Sequence, residues 1–144
     1  MFEKFDEDAR RVMVAAQHEL DNRGHRELTT EHLLMGLLSS LNPRLLTLLA
    51  AAGVTVEALR PHTRPPGQGT PTLPGHAPFA HEALAALNRA GIGGGVVTAA
   101  VLLSAILSDP DCDAYRLLDI VDVDVDALIH GISGASVSRA GLSQ

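Results

Sequence analysis

Histidine has the widest chemical range of any side chain in this sequence, because it can bind metals and transfer protons near neutral pH. The chain holds seven histidines, and His18, His25 and His32 recur at intervals of seven residues. A predicted helix ends between the first two, and no His-x-x-x-His pair occurs that would place two ring nitrogens on one helix face. His32 follows a predicted helix cap, where packing or hydrogen bonding is its expected role. We therefore predict no metal site.

Aspartates form the second cluster that could do chemistry. Asp109, Asp111 and Asp113 have the spacing of the first ligands in a calcium-binding loop. Such a loop needs glycine at its sixth position and glutamate at its twelfth, where this chain has Ala114 and Ile120. The match therefore fails, and helix capping is the predicted role of these aspartates.

Nucleophilic and nucleotide chemistry also lack a matching pattern. Cys112 lies between aspartates, whose negative charge should raise the pKa of its thiol and so disfavour the reactive thiolate. No serine lies in a nucleophile-elbow sequence. A phosphate-binding loop needs a lysine after its glycines, but Lys4 is the only lysine, so Gly93-Gly94-Gly95 is not a nucleotide loop. The sequence predicts no catalytic residue, no cofactor and no ATPase, and hence a protein that is not an enzyme.

Composition points to an acidic helical protein. Of the 144 residues 46% are hydrophobic but only 3% are aromatic, so Leu, Ala and Val must fill the interior, which favours helix over strand. The net charge of −6 argues against nucleic acid as a partner. Without a signal peptide or an apolar run long enough to span a bilayer, we expect no membrane association. The single cysteine fits a reducing cytoplasm, and the preference for arginine over lysine fits a GC-rich bacterial genome.

Helix start and stop signals divide the first half of the chain into four predicted helices. Asp6 is the predicted N-cap of the first helix, Thr30 of the second and Thr55 of the fourth. Glu31 then lies in the first turn of the second helix, where the helix dipole favours a negative charge. The predicted helices run over Glu7–Arg23, closed by Gly24, then over Glu31–Ser40, over Pro43–Ala52, and from Thr55 to about Arg60-Pro61.

The second half repeats this order after a linker rich in proline and glycine. Thr98 starts a degraded copy of the helix that begins at Thr30, and Ala99 replaces Glu31 in that copy. Val121–Val125 alternates like a strand when read alone, but the repeat favours a helix there. The closest correspondence is between Val54–Leu59 and Val123–Leu128, in which Asp124 takes the capping place of Thr55.

Each half is too small to bury its apolar faces alone, so the two should pack together. The predicted fold is all-α, an eight-helix bundle of two four-helix repeats that form a single domain over residues 1–144. Phe5 and Phe79 are matching core residues. The predicted boundaries are repeat 1 over about 1–61, a linker over 62–78, repeat 2 over 79–133 and a frayed tail over 134–144. The predicted helices of repeat 2 are His81–Ala90, Thr98–Ser108, Asp111–Ile120 and a last one from Asp124 to His130 or Ile132.

Several segments resemble the Clp N-terminal repeat domain, the substrate- and adaptor-receiving module of the ClpC and ClpA class of AAA+ unfoldases. They lie within residues 1–132 and are Phe2-Glu3-Lys4-Phe5, Ala9-Arg10-Arg11-Val12, Ala16-Gln17, Thr30–Leu38 and Gly75–Phe79. The resemblance implies a pseudo-twofold bundle of eight helices, in agreement with the fold predicted above. In that family the module precedes ATPase domains, so we expect either a free-standing Clp-N-like protein or an excised domain.

The resemblance also implies a role for Glu31. In ClpC-type relatives the glutamate of the Thr-Glu-His motif resembles an acceptor for phosphorylated arginine, and a threonine on the first helix lies beside it. A carboxylate suits this role because it can hold a guanidinium through paired hydrogen bonds. Here Asp6 takes the place of that threonine and would repel a phosphate. The second repeat has Ala99 and Ala80 at these places. We expect the second pocket to be inactive and the first impaired, with Glu31 chiefly a helix-start residue.

A groove between the repeats is the better candidate site. The resemblance matches five residues to positions where relatives receive adaptors or peptide-like inhibitors: Phe2, Val14, Gln17, His76 and Phe79. Hydrophobic anchors with a few polar groups suit peptide binding. Leu84 stands where a basic residue is common, so this groove should be less cationic than in relatives.

These features predict a non-catalytic protein-binding module of Clp-dependent proteolysis, which receives or competes for adaptors and protein substrates and could bind a Clp unfoldase. The alternative is a sequestering protein that holds hydrophobic cyclic-peptide small molecules in the groove between the repeats.

Overall fold

The computed structural model describes residues 3–39, 43–67, 78–92 and 94–132. Within these ranges the chain forms eight α-helices and no strand, which confirms the predicted all-α fold. A 3₁₀ turn over Arg60–His62 follows the fourth helix. The helices are α1 (Glu7–Arg23), α2 (Thr30–Leu38), α3 (Pro43–Ala51), α4 (Val56–Leu59), α5 (His81–Gly91), α6 (Ala99–Leu107), α7 (Asp113–Ile120) and α8 (125–132).

Helix α1 begins and ends where the sequence predicts. The Asp6 side chain accepts a hydrogen bond from the Ala9 amide at 2.8 Å, which satisfies one of the free N–H groups of the first turn. Gly24 closes the helix in the left-handed region with φ 65°, a conformation that costs glycine little. Between these caps one face is buried: Ala9, Val12, Ala16, Gln17 and Leu20.

Helix α2 begins one residue earlier than predicted, because Thr29 rather than Thr30 is its N-cap. The Thr29 hydroxyl accepts the Glu31 amide at 3.2 Å, and Thr30 is the first helical residue. Thr98 caps α6, so Thr98 corresponds to Thr29, and the counterpart of Glu31 is Ala100 instead of Ala99. The sequence could not decide between two adjacent threonines, since either can cap a helix.

The start of α7 also differs from the prediction. Cys112 is its N-cap, and its sulfur accepts the Tyr115 amide at 3.4 Å. Asp111 precedes the cap, and its amide donates to the Asp109 carboxylate at 2.9 Å. The prediction of Asp111 as the cap is therefore wrong, because the aspartates here close the turn before the helix. Asp124, in contrast, caps α8 as predicted through the Ala127 amide at 3.1 Å.

The residues before α8 form a turn, so the strand alternative for Val121–Val125 is wrong. Asp122 adopts φ 60° and Gly53 adopts φ 85° at the matching place before α4. The residue after each of these donates a backbone hydrogen bond to the preceding helix. The Val54 amide donates to the Leu49 carbonyl at 2.8 Å, and the Val123 amide donates to the Leu118 carbonyl at 3.0 Å. This match confirms the predicted correspondence of Val54–Leu59 with Val123–Leu128.

The two repeats exchange short backbone bridges with each other. Phe5 pairs with Val97, and Phe79 pairs with Leu28, both in parallel orientation. Each bridge joins the residue before the first helix of one repeat to the residue before the second helix of the other. Phe5 is buried and Phe79 packs against the core, as predicted for both. Two hydrogen bonds form each bridge. In the first bridge, the Asp6 amide donates to the Val97 carbonyl at 3.0 Å, and the Val97 amide donates to the Lys4 carbonyl at 2.7 Å. In the second, the Leu28 amide donates to the Pro78 carbonyl at 2.9 Å, and the Ala80 amide donates to the Leu28 carbonyl at 2.8 Å.

A glycine sets the close packing of α1 against α2. A Cβ atom on Gly36 would lie 2.6 Å from the Val12 carbonyl oxygen and 2.9 Å from the Ala16 nitrogen, closer than such atoms can approach. The short distance lets the leucines of α2 enter the core beside α1.

None of the described helices is by itself long and apolar enough to cross a membrane. The bent pair of α2 and α3 meets the criterion only when the two helices are taken together, and only by length and composition.

Candidate functional site

A pocket of about 220 Å³ opens on the surface where the two repeats meet. Its walls come from α2 in the first repeat, from the 3₁₀ turn and the residues after it, and from α7 in the second repeat. Charged groups of both signs lie beside two apolar side chains. The lining residues are Glu31, His62, Arg64, Asp113, Arg116, Leu117 and Ile120.

Glu31 forms one wall of the pocket and is only 8% exposed. Its carboxylate accepts the backbone N–H of Arg64, at 3.1 Å to one oxygen and 3.3 Å to the other. Burial raises the pKa of Glu31, and the hydrogen bond and positive charge of Arg64 act in the opposite direction. The carboxylate that the family resemblance assigns to a substrate guanidinium is therefore already held by the chain's own backbone.

Arg64 also closes the pocket towards the second repeat. Its guanidinium forms an ion pair with the carboxylate of Asp113 in the first turn of α7. Both side chains are partly exposed, so solvent screens the pair and limits its contribution to stability. The pair still fixes the position of the Arg64 side chain across the mouth between the repeats.

Glu82 joins the backbone of α2 and α7 next to the pocket, a role that its place in the sequence does not indicate. Its carboxylate accepts the Thr30 amide at 2.9 Å, the Thr30 hydroxyl at 2.5 Å and the Asp113 amide at 2.9 Å. The Thr30 hydroxyl in turn accepts the Ala114 amide at 2.9 Å. One carboxylate thus serves the positive N-terminal ends of both α2 and α7. A glutamate in the first turn of α5 gave no signal, because its partners lie far away in the sequence.

Two histidines of the first repeat, His25 and His32, lie near Glu31. His25 Nδ1 and His32 Nε2 are 2.8 Å apart, and their rings meet edge to face. His32 Nδ1 accepts the Thr29 amide at 2.9 Å, so His32 completes the capping box of α2. His25 Nε2 lies 2.7 Å from the Pro65 carbonyl oxygen. Burial, followed by the positive charge of His25 and Arg64, lowers the pKa of His32 to about 4.

His32 therefore acts through hydrogen bonds, as its place after the helix cap predicts. His18 is exposed on α1 and apart from this pair. Within residues 3–39, 43–67, 78–92 and 94–132, no group of three or more His, Cys, Asp or Glu side chains is arranged to hold a metal ion.

Cys112 is buried behind the start of α7. Its pKa is raised as predicted, but burial is the largest cause and the charges of Glu82 and Asp109 contribute less. The sulfur lies 3.3 Å from the Ile106 carbonyl oxygen, to which the thiol donates.

The predicted groove residues lie in different environments. Val14 is 57% exposed on α1, whereas Gln17 is only 8% exposed and donates to Asp21 at 3.2 Å. Phe79 is partly buried against the core. Phe2 and His76 lie outside the described residues, as do residues 68–77 of the predicted linker and the predicted tail over 134–144. Partner binding in this groove therefore stays a prediction.

Comparison with known proteins identifies the family to which this chain is similar. The model of the Clp repeat (R) N-terminal domain matches residues 4–92. This chain belongs to the Clp repeat N-terminal domain family. The match covers the whole first repeat and α5, the part in which the sequence resemblance is most specific.

Two further comparisons agree with this family. The chain is 31% identical over 134 residues to a protein of Trieres chinensis described as an ATP-dependent Clp protease ATP-binding subunit ClpA homolog, and it spans 15% of that protein's length. Its fold matches the crystal structure of the N-terminal domain of the caseinolytic protease associated chaperone ClpD from Arabidopsis thaliana. That match has a TM-score of 0.76 at 19% identity and covers 94% of this chain and 99% of the other. The Clp repeat fold therefore extends through the second repeat as well.

Proposed function

We propose that this Clp repeat domain is a non-catalytic protein-binding module that serves a Clp unfoldase in the cytoplasm of a bacterial cell. It receives adaptors or protein substrates for the unfoldase, or competes with the unfoldase's own N-terminal domain for them. The observation that carries the proposal is the pocket at the meeting of the two repeats, which lies on a domain of the Clp family.

The walls of the pocket suit a segment of polypeptide. Ile120 offers apolar surface, since it is one of the few large hydrophobic residues that are more than half exposed, whereas Leu117 lines the pocket but is only 3% exposed. Arg116 and His62 offer donors in the pocket, and Asp113 offers an acceptor, whereas Glu31 is already bonded to the Arg64 amide. Apolar surface with convergent polar groups is the usual composition of a peptide-binding site. A pocket of this small volume fits one or two side chains, so we expect weak and reversible binding.

The proposal is tested by titrating the full chain into fluorescein-labelled casein, an unfolded model substrate, and following fluorescence anisotropy. We expect saturable binding that Arg116→Glu weakens about tenfold, equivalent to about 1.4 kcal/mol. Arg44→Glu is the matched control, because it reverses the same charge at an exposed site on α3, away from the pocket. The proposal would be contradicted if the chain bound neither labelled casein nor a Clp unfoldase labelled in the same way.

A third variant tests the groove predicted from the sequence. Val14→Asp places a charge on the exposed face of α1 without disturbing a buried contact. If casein binding is lost in Val14→Asp and kept in Arg116→Glu, the partner binds the groove rather than the pocket. The same pair of variants, titrated with a hydrophobic cyclic peptide, tests the alternative that the protein sequesters small molecules.

A further inference from the structure

The residues that follow the 3₁₀ turn lie across the first repeat and cover Glu31. We call residues 63–67 the strap. Two backbone amides of the strap donate to the repeat beneath: Arg64 to Glu31, and Gly67 to the Arg23 carbonyl at 2.7 Å. In the other direction, Arg23 donates to the Arg64 carbonyl at 2.8 Å, and His25 lies 2.7 Å from the Pro65 carbonyl. The intervening prolines have no N–H, so every amide of this stretch from 64 to 67 that can donate does so.

Polar contacts rather than apolar burial hold the strap in place. The four residues from Arg64 to Gly67 are all exposed, and none belongs to the hydrophobic core. Segments with few buried apolar contacts open at low free-energy cost, well below that of global unfolding. The strap should therefore open and close while both repeats stay folded.

The hydrogen-bond partners assign the protonation of the two histidines beneath the strap. Because the Thr29 amide donates to His32 Nδ1, the proton of neutral His32 is on Nε2 and points to His25 Nδ1. The proton of His25 must then be on Nε2, from which it is donated to the Pro65 carbonyl. The chain of donors from Thr29 to the strap is complete only when both rings are neutral. A proton added to either Nδ1 would face another N–H group and break the chain.

We propose that the His25–His32 pair is a latch that holds the strap closed over Glu31, and that protonation of His32 opens it. This inference rests on the proposed function in one respect, since Arg64 of the strap lines the pocket that we assign to partner binding. The opening itself is a property of the chain alone and can be measured without a partner.

The charged groups around the pair set the direction of the effect. Arg23 and Arg64 oppose an added proton, and Glu19 favours one. The Glu19 carboxylate is neutralised by its ion pair with Arg60 on the 3₁₀ turn, and Asp113 is paired with Arg64. Glu31, whose carboxyl group interacts with His25, is bonded to the strap. Burial and positive charge therefore prevail at His32, and both keep its ring neutral while the strap is closed.

The sign of the pH dependence follows from the closed and open states. In the closed state the pKa of His32 is about 4, whereas in an open strap the ring regains contact with water and its ordinary pKa of about 6.5. The open state therefore binds protons more strongly, and opening becomes more favourable as the pH falls from about 6.5 towards 4. For one proton the equilibrium shifts by up to about tenfold per pH unit within this window. Above it, opening should not depend on pH.

Hydrogen exchange of the full chain, followed by NMR from pH 7.5 to 4.5, tests the latch. We expect the protection factors of the Arg64 and Gly67 amides, corrected for intrinsic exchange, to fall by up to about tenfold per unit below pH 6.5. The amide of Leu102 in α6, a fully buried residue of the second repeat, donates to the Thr98 carbonyl at 2.9 Å and should keep a higher protection that reports on global stability. Protection of the strap amides that does not change with pH would overturn the proposal.

Two variants and one control separate the latch from a general loss of stability. His32→Asn keeps an acceptor for the Thr29 amide but has no ring to protonate, so the loss of strap protection below pH 6.5 should disappear. His18→Asn removes an exposed histidine of α1 and should leave it unchanged. Gly67→Ala opens the strap without replacing either histidine, because a Cβ there would lie 2.5 Å from the Gly24 carbonyl oxygen. The same Cβ would lie 3.4 Å from His25 Cδ2, which is an ordinary van der Waals distance.

Gly67→Ala gives a readout that a purely structural role would not move. With the strap open at pH 7, the pKa of His32, measured from its ring resonances, should rise from about 4 towards 6.5. A value that stays near 4 while the Arg64 amide exchanges freely would overturn the coupling. Casein binding by Gly67→Ala separates the two proposals. Binding that is stronger than in the wild type would place the strap over the partner site. If no variant binds casein, the proposed function is contradicted, and the hydrogen-exchange result still decides whether the latch exists.

Discussion

At the scale of single residues, a few polar side chains hold the meeting point of the two repeats. Glu82 is the clearest example, because its carboxylate satisfies backbone amides at the starts of both α2 and α7. Thr30 extends this arrangement by donating to Glu82 and accepting from Ala114 with one hydroxyl. Displacement of Thr30 from the capping place by Thr29 is what frees its hydroxyl for this contact. The residue that the sequence assigned to capping therefore joins the repeats instead.

Glu82→Gln should destabilise the protein by about 1–3 kcal/mol. The amide of glutamine keeps one acceptor oxygen but turns an NH₂ group towards either the Thr30 or the Asp113 amide, and it removes the charge that the two helix ends favour. Urea unfolding monitored by circular dichroism measures the loss. Glu57→Gln on the exposed side of α4 is the control and should stay within about 0.5 kcal/mol of the wild type. Equal effects of the two substitutions would contradict the assignment.

At the scale of the elements, the two repeats share one plan but differ in how their helices are covered. Helix α1 continues to Arg23, where its last turns support the strap, whereas its counterpart α5 ends at Gly91. As a result His32 on α2 is 1% exposed, and Val101, its counterpart on α6, is 40% exposed. The first repeat is therefore closed by its long helix and the strap. In the described part of the chain, the same surface of the second repeat lies open.

The close contact of α1 with α2 gives a prediction at this scale. Gly36→Ala should destabilise the protein by about 1–3 kcal/mol, because the new methyl group would lie 2.6 Å from the Val12 carbonyl oxygen and force the helices apart. Helix propensity alone would give the opposite sign, since alanine is favoured over glycine by about 1 kcal/mol.

Gly91→Ala is the matched control for this substitution. It adds the same methyl group to α5, where no atom lies within 4 Å of the new Cβ, so it should be neutral or slightly stabilising. Thermal unfolding of both variants measures the difference. A Gly36→Ala protein as stable as Gly91→Ala would show that the two helices can separate without cost.

At the scale of the whole molecule, local signals predicted the helices but not the pocket. The bounds of α1 followed from the sequence because Asp6 and Gly24 are unambiguous caps, and the repeat correctly overruled the strand pattern before α8. The starts of α2 and α7 were each misplaced by one residue where two neighbouring residues could cap. The pocket could not be predicted, because its walls depend on contacts between segments distant in sequence and on the strap, whose proline-rich composition indicated only a linker.

The exchanged bridges predict that the repeats unfold as one unit. Each repeat supplies a backbone partner to the other at Phe5–Val97 and at Leu28–Phe79, so neither can lose its structure without breaking the contacts of its neighbour. The only tyrosine, Tyr115, lies on α7 and reports on the second repeat, whereas far-UV circular dichroism reports on all helices. In a urea titration the two signals should give the same midpoint, as expected for a two-state transition.

A substitution in one repeat extends this test to the other. Phe5→Ala removes a buried ring from the first repeat, which should cost about 3–5 kcal/mol. If the repeats are one cooperative unit, the midpoint from Tyr115 fluorescence should fall by the same amount as the midpoint from circular dichroism, although Tyr115 is in the unsubstituted repeat. A tyrosine midpoint that stays at the wild-type value would show instead that the second repeat is stable by itself, and that the bridges join two independent units.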